Sequence, residues 1–371
     1  MEAFKELINH YTNPQTLFPF LLISTFLMFP PNDFCERINN KLRLYKLWTN
    51  KGGIAMFSAM FIFFIFGISD PNFRLIVTKP DNVPIVGLIF LVNFLLWFSM
   101  KQGYENDARI AQGKPPHEAD DSKEKVLVWP DLVYIEFIAL ILCAVLLTVW
   151  SISLPAPLEE PANPTVSPNP SKAPWYFLGL QEMLVYFDPW LAGVVFPSII
   201  ILGLMAIPFL DNNKKGQGYF TFKERRMAIC IFLIGWLLLW IFLITIGTFL
   251  RGPNWNFFGP FEFWDIHKLE ALTNVNLSEY IYLIWLKQTL PQNVLIREAW
   301  GFVALGIYFG LFPPLLAKTL FKNIYQRLGP LRFSIFVILL LLACGLPLKM
   351  FLRWAFNLKY IIAIPEFFFN I

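Results

Sequence analysis

The residues best suited to chemistry lie in one run, Glu159 to Trp190, with the sequence EEPANPTVSPNPSKAPWYFLGLQEMLVYFDPW. It is the longest polar, proline-rich break between strongly apolar segments. It ends in an aromatic, amphipathic stretch carrying two acids, Glu182 and Asp188. Glu182 falls seven residues after Trp175, two helical turns on, so the spacing predicts that the two share a helix face. Asp188 precedes Pro189 and suits either proton exchange or capping of the next helix. An apolar segment stands on each side of this run. A long irregular loop between membrane spans persists only where protein or water covers its backbone. The run therefore reads as the wall of a binding site at a membrane surface.

Composition supplies the membrane. Of 371 residues, 56% are hydrophobic and 15% charged, against about 25% charged in a soluble domain. Mean hydropathy is +0.54. The 40 phenylalanines and 13 tryptophans suit lipid-facing helices and interfacial belts. The fold class expected is all-α, a polytopic transmembrane bundle of about eight spans. Cys35, Cys143, Cys230 and Cys344 form no CxxC or CxxCH, so neither a zinc or iron–sulfur site nor an attached c-type haem is expected. The three histidines, His10, His117 and His267, avoid the centres of apolar segments, so this chain ligates no pair of b-type haems. His117 reads as solvated, and His267 as a surface residue or a contact to a partner's cofactor. No GxxxxGK[ST], GxGxxG or HExxH occurs, and no nucleic-acid partner is expected. The first residues, MEAFKELINHYTNPQ, lack the pattern of a cleaved signal peptide.

The candidate spans are Leu17–Pro30, Gly52–Ser69, Val83–Met100, Leu132–Leu154, Trp190–Leu210, Met227–Leu250, Ala299–Ala317 and Phe333–Phe351. Leu17–Pro30 is short and contains Pro19. The last piece, KYIIAIPEFFFNI, is interrupted by Pro365 and is expected at the interface rather than across the membrane. Loop charge sets the orientation. With the loop 155–189 outside, the four opposite loops carry 19 of the 30 Lys and Arg. Lys214, Lys215, Lys223, Arg225 and Arg226 crowd one of them, whereas the central loop has only Lys172. That asymmetry follows the positive-inside rule with both termini outside. The loop Lys101–Lys125 mixes both signs and reads as a solvated linker. Glu136, in the first turns of its span, is the main ionisable exception within the helices.

From Trp129 to about Thr248 the chain resembles the C-terminal domain of cytochrome b, which is subunit IV in cytochrome b6-f complexes. Four motifs carry the resemblance in order: WPDLVYI opening a helix, Glu160-Pro161-Ala162-Asn163-Pro164 in the connecting loop, APWYF from Ala173 to Phe177, and PFLDN (Pro208–Asn212) followed by KERR (Lys223–Arg226). APWYF stands where that family has PEWYF, its quinol-site motif, with Pro174 in place of the acid. The resemblance implies a membrane subunit of a bacterial bc-type quinol oxidoreductase, in the cytoplasmic membrane with the loop 155–189 on the periplasmic side. Quinol would be oxidised there with release of protons. The implied partners are a cytochrome b N-terminal-like subunit carrying the b-type haems, and a Rieske iron–sulfur protein, a c-type cytochrome or both.

Such a site needs an apolar slot, a polar group for the hydroxyl and a proton acceptor. Pro174, Trp175, Tyr176 and Phe177 are the candidates for the slot. Tyr176 would hold a quinol oxygen or belong to the interfacial aromatic belt. Glu182 is the candidate proton acceptor, with a structural or partner-contact role as the alternative. The aromatic loop FLRGPNWNFFGPFEFWDIHK, Phe249–Lys268, would anchor at the interface or dock an extracytoplasmic subunit. The rival to catalysis is a membrane anchor for redox proteins with a vestigial quinone site. The division expected is an N-terminal extension with linker (1–128), the quinol-site domain (129–250) and a C-terminal extension (251–371). In the predicted orientation, Lys172→Cys reacts with an impermeant thiol reagent from the periplasmic side. Labelling from the cytoplasm alone contradicts it.

Overall fold

The structure is a computed structural model that describes residues 2–121, 125–156, 158, 161–211, 221–270 and 273–371. Glu159, Glu160, Asn212, Lys214 and Lys215, named above, lie outside the described residues. The described residues are 74% helical with almost no strand. The principal helices are α1 (Glu2–Tyr11), α2 (Pro14–Met28), α3 (Asp33–Leu42), α4 (Asn50–Ile68), α5 (Pro71–Val77) and α6 (Val83–Ala111). They continue as α7 (Val128–Ser153), α8 (Leu178–Met183), α9 (Leu191–Leu210), α10 (Phe222–Leu250), α11 (Ala299–Lys318) and α12 (Lys322–Phe356). Seven of these are long and apolar enough to cross a membrane, and the bent pair α2–α3 makes up to eight. The expected all-α bundle of about eight spans is what the chain forms. The first span is the irregular one: Pro30-Pro31 cannot continue a helix, and α2 turns by 92° into α3. Asn32 caps the new helix by accepting from the Cys35 N–H at 2.9 Å.

One buried cluster joins the N-terminal, central and C-terminal segments. Phe18 of α2, Met183 of α8, Leu191 and Ala192 of α9, Leu243 and Ile246 of α10, and Leu346 and Met350 of α12 lie in one buried cluster. Flanking segments thus supply side chains to the interior of the central segment. At the end where α10 begins, the arginines of KERR are held by acids. Arg226 reaches Asp33 at 2.9 Å and Glu36 at 2.6 Å, and Arg225 forks onto Asp211 at 2.7 Å through both nitrogens. Helix α7 is different. None of the residues Val133–Ser153 is buried, so its circumference faces outward.

Residues after α12 form no span. Ala363–Ile364 (β1) and Phe369–Asn370 (β2) pair antiparallel, Ala363 opposite Asn370. Glu298, fully buried, fixes this hairpin to α11: its carboxylate accepts from the Ala363 N–H at 3.0 Å and from Arg297 Nε at 3.1 Å. Gly301 permits the close approach, because a Cβ there would stand 2.3 Å from the Ile361 carbonyl oxygen. Gly301→Ala should therefore destabilise the protein by about 1–3 kcal/mol through overpacking. Gly306→Ala, where no atom lies within 4 Å of the added methyl, should not lower stability. Thermal unfolding in detergent separates the two; equal melting temperatures contradict the packing.

Candidate functional site

The central loop is stitched to its surroundings by side-chain amides. Gln181 of α8 accepts from the Ala173 N–H and donates to the Ser171 carbonyl, both at 2.8 Å. Asn169 and Asn254 bond reciprocally: Nδ2 of Asn169 donates to Oδ1 of Asn254 at 2.9 Å, and the Asn254 N–H donates to Oδ1 of Asn169 at 2.7 Å. Asn169, Ser171, Gln181 and Asn254 border a surface groove of about 400 Å³, which Trp255 also lines. The aromatic loop 249–268 is held in turn by this chain. The Phe261 N–H donates to Asn9 of α1 at 2.9 Å, and Asn72 of α5 donates to the Phe261 carbonyl at 3.2 Å. Phe258 is fully buried, whereas Phe263 and Ile266 are exposed.

Trp175–Phe177 forms a single 3₁₀ turn that leads into α8. Tyr176, Gly179, Leu180 and Met183 follow i, i+3, i+4, i+7 spacing and line one face. That face borders a cavity of about 170 Å³. Its other walls are Phe196 and Ile199 of α9, Gly235 and Leu239 of α10, and Leu342 and Ala343 of α12. Over Leu233–Ile241, α10 is wound with wider i→i+5 bonds, which is frequent at functional sites. Nothing lies within 4 Å of where a Cβ on Gly235 would be, so the wall is open there. Apart from Tyr176 and Trp240 the lining carries no polar side chain. Tyr176 meets Trp175 edge-on and Phe177 at a tilt, with ring centroids 5.6 and 4.8 Å away. Pro174, Trp175 and Phe177 are exposed and do not line the cavity.

Glu182 does not line the cavity either. It lies on the adjoining helix face with Leu178, is fully buried, and points to the first turn of the aromatic loop. Arg251 grips it through two bonds, Nη2 to Oε1 at 2.7 Å and Nε to Oε2 at 3.0 Å. Trp255 Nε1 adds a third at 3.2 Å and the Tyr186 hydroxyl a fourth at 3.3 Å. Burial alone would weaken the charged guanidinium, but the Glu182 charge and hydrogen bonds outweigh it and hold Arg251 above its ordinary value. Burial, reinforced by the same carboxylate, pushes the Tyr186 phenol up. Asn254 and Trp255 both adopt positive φ, 57° and 58°. Asparagine tolerates this region, and tryptophan seldom does. At Trp255 it aims both the indole N–H at Glu182 and the carbonyl at Arg251 Nη1, 3.0 Å away.

Asp188 lies between α8 and α9, and its side chain bonds to the C-terminal segment. Its carboxylate accepts from the Tyr360 hydroxyl at 3.3 Å and from Asn370 Nδ2 at 3.0 Å, so it ties the C-terminal segment to the central loop. Sequence reasoning missed Arg251, Trp255 and Lys349. The signal for the first two was an arginine directly after an apolar span, followed by the turn-forming Gly-Pro-Asn-Trp. Lys349, not only Glu136, is an ionisable residue within a span: it is 3% exposed and lies 5.9 Å from the ring centroids of Phe187 and Tyr360. The three histidines sit on α1, near residue 117 and in the aromatic loop, none inside a span. Among the described residues no group of three or more His, Cys, Asp or Glu is placed to hold a metal.

Removing one member of a buried ion pair strands the other charge and costs about 3–5 kcal/mol. Glu182→Ala and Arg251→Met should each destabilise by that order, and the double variant by less than the sum. Additive losses in a double-mutant cycle contradict the pairing.

Residues 161–259 match the family model described as cytochrome b(C-terminal)/b6/petD. The match begins after α7 and includes the first part of the aromatic loop, and the segments on either side lie outside it. No solved structure matches the chain. The matched family points to a membrane subunit of a bc- or b6f-type complex. Residues 161–259, which contain the Tyr176 cavity wall and the Glu182–Arg251 pair, are thus similar to the cytochrome b C-terminal/b6/petD family.

Proposed function

We propose that this chain is a membrane subunit of a bacterial quinol-oxidising complex and supplies one wall of its periplasmic quinol site. The observation that carries the reading is the cavity beneath Tyr176. It is built by α8, α9 and α10, mostly within the family-matched segment, and closed by α12. Its lining suits an aromatic ring and isoprenoid tail, with the Tyr176 hydroxyl as the polar group that holds a quinol oxygen. Pro174, Trp175 and Phe177 shape the rim around Tyr176. The b-type haems belong to a cytochrome b N-terminal-like partner, and one-electron transfer goes on to a Rieske protein or c-type cytochrome. The exposed side of the aromatic loop, Phe263 and Ile266, is the docking platform for that acceptor.

Glu182 is proposed here in the second of its expected roles, as a structural clamp. To accept a proton it would have to release at least one of four donors. As a clamp, it fixes α8 against the aromatic loop and so fixes Tyr176 over the cavity.

One observation favours the rival reading of an anchor with a vestigial quinone site: the nearest carboxylate is committed to Arg251. Binding separates the two. Ala343→Trp, which fills the cavity from α12, should leave the complex assembled and weaken a quinol-analogue inhibitor by roughly tenfold or more. An assembled wild-type complex that binds neither quinone nor the analogue supports the anchor. Unchanged binding in Ala343→Trp removes the cavity from the site.

A further inference from the structure

We propose that Lys172, Thr248 and Trp264 form a polar site for a phenolic or other weakly acidic hydroxyl, with the lysine amine as the group that takes its proton. The proposal rests on the quinol-site reading for its natural ligand, and on geometry for its chemistry. Lys172 stands in the central loop, two residues before Pro174, with its amine folded inward. Nζ donates to the Thr248 carbonyl at the end of α10, 2.9 Å away, and lies 4.8 Å from the centroid of the Trp264 ring. A lysine ammonium has three hydrogens to place. Here one goes to a carbonyl and the ring face takes the charge.

The two residues that receive the amine carry unused polar atoms of their own. Thr248 Oγ1 and Trp264 Nε1 are both buried, and neither has a hydrogen-bond partner among the described residues. Thr248 is 2% exposed. Such atoms are costly unless something meets them. An indole N–H only donates, whereas a threonine hydroxyl does either. A ligand oxygen that reached these atoms would accept from Trp264 Nε1 and Thr248 Oγ1 and offer its own hydrogen to the amine. A hydroxyl meets that demand beside a neutral amine, whereas a metal ion, which offers no lone pair to the indole N–H, does not.

The amine is built to be neutral when needed. Burial pulls Lys172 down to about 7, with Lys79 and Arg251 adding to the fall and Glu182 opposing it. Those are the charged groups that face it, from the turn before α6, the aromatic loop and α8. In the step proposed, the ligand O–H bond breaks, its electron pair stays on oxygen, and a new N–H bond forms at Lys172. The ammonium then loses that proton to water.

Amine reactivity tests this directly in the purified native complex. Limited acetylation is run from pH 6 to 10, with and without a simple hydroquinone, and the modification of Lys172 is read by mass spectrometry. Half-maximal reactivity near pH 7, with protection by the hydroquinone that Trp264→Phe abolishes, supports the site. A midpoint above pH 9, or no protection in the wild type, overturns it. Protection in a complex that turns over no quinol keeps the site and removes the quinol-oxidase reading instead.

Discussion

The buried pair between Glu182 and Arg251 is the constraint on which the candidate site depends. Two charges removed from water are tolerable only when geometry and further donors satisfy them. Here the guanidinium meets both carboxylate oxygens, and Trp255 and Tyr186 complete them. The pair spans 69 residues of chain and joins the short helix after the central loop to the first residue beyond a membrane span. Because Glu182 shares α8 with Gly179, Leu180 and Met183, fixing one face of that helix fixes the other. The cavity wall follows from the ion pair. The left-handed backbone at Trp255 belongs to the same arrangement. Such strain costs of order 1–3 kcal/mol and persists where the surroundings demand it.

The segments outside the family match are part of this unit. Phe18 from the N-terminal side and Leu346 and Met350 from the C-terminal side enter the same buried cluster as α8 and α10. Leu342 and Ala343 close the cavity. Asn9 and Asn72 hold the aromatic loop from the other direction. A pocket wall that in a smaller protein would come from lipid or another subunit is supplied here by the chain itself. Helix α7 is the exception, since it buries nothing and leaves its surface for lipid or partner chains.

The bundle was legible in the sequence because its signal is additive. Runs of about twenty apolar residues leave few alternatives in a bilayer, where every backbone group must be satisfied internally. The weak first span was legible as weak, since it is short and Pro19 lies in it, but the size of its bend was not. The site was legible only in outline. Of the residues singled out in the sequence, Tyr176 borders the cavity, but the expected shared face of Trp175 and Glu182 does not form: Trp175 is exposed in the 3₁₀ turn and Glu182 is buried on α8. What spacing did not convey was the partner of Glu182. Arg251 lies far along the chain, and no local period links the two. The same holds for Asp188, whose side chain serves the C-terminal segment, and for Lys349, whose apolar neighbours in sequence give no sign that rings from elsewhere surround it.

On the proposed reading, this chain is one wall of a quinol site that a haem-bearing partner completes. The most direct test is gentle purification of the native complex, followed by a dithionite-reduced minus oxidised spectrum and identification of the co-purifying chains. The account predicts a b-type haem signal, together with a membrane subunit whose paired histidines supply the ligands that this chain lacks. A pure, assembled complex with no b-type haem would contradict it.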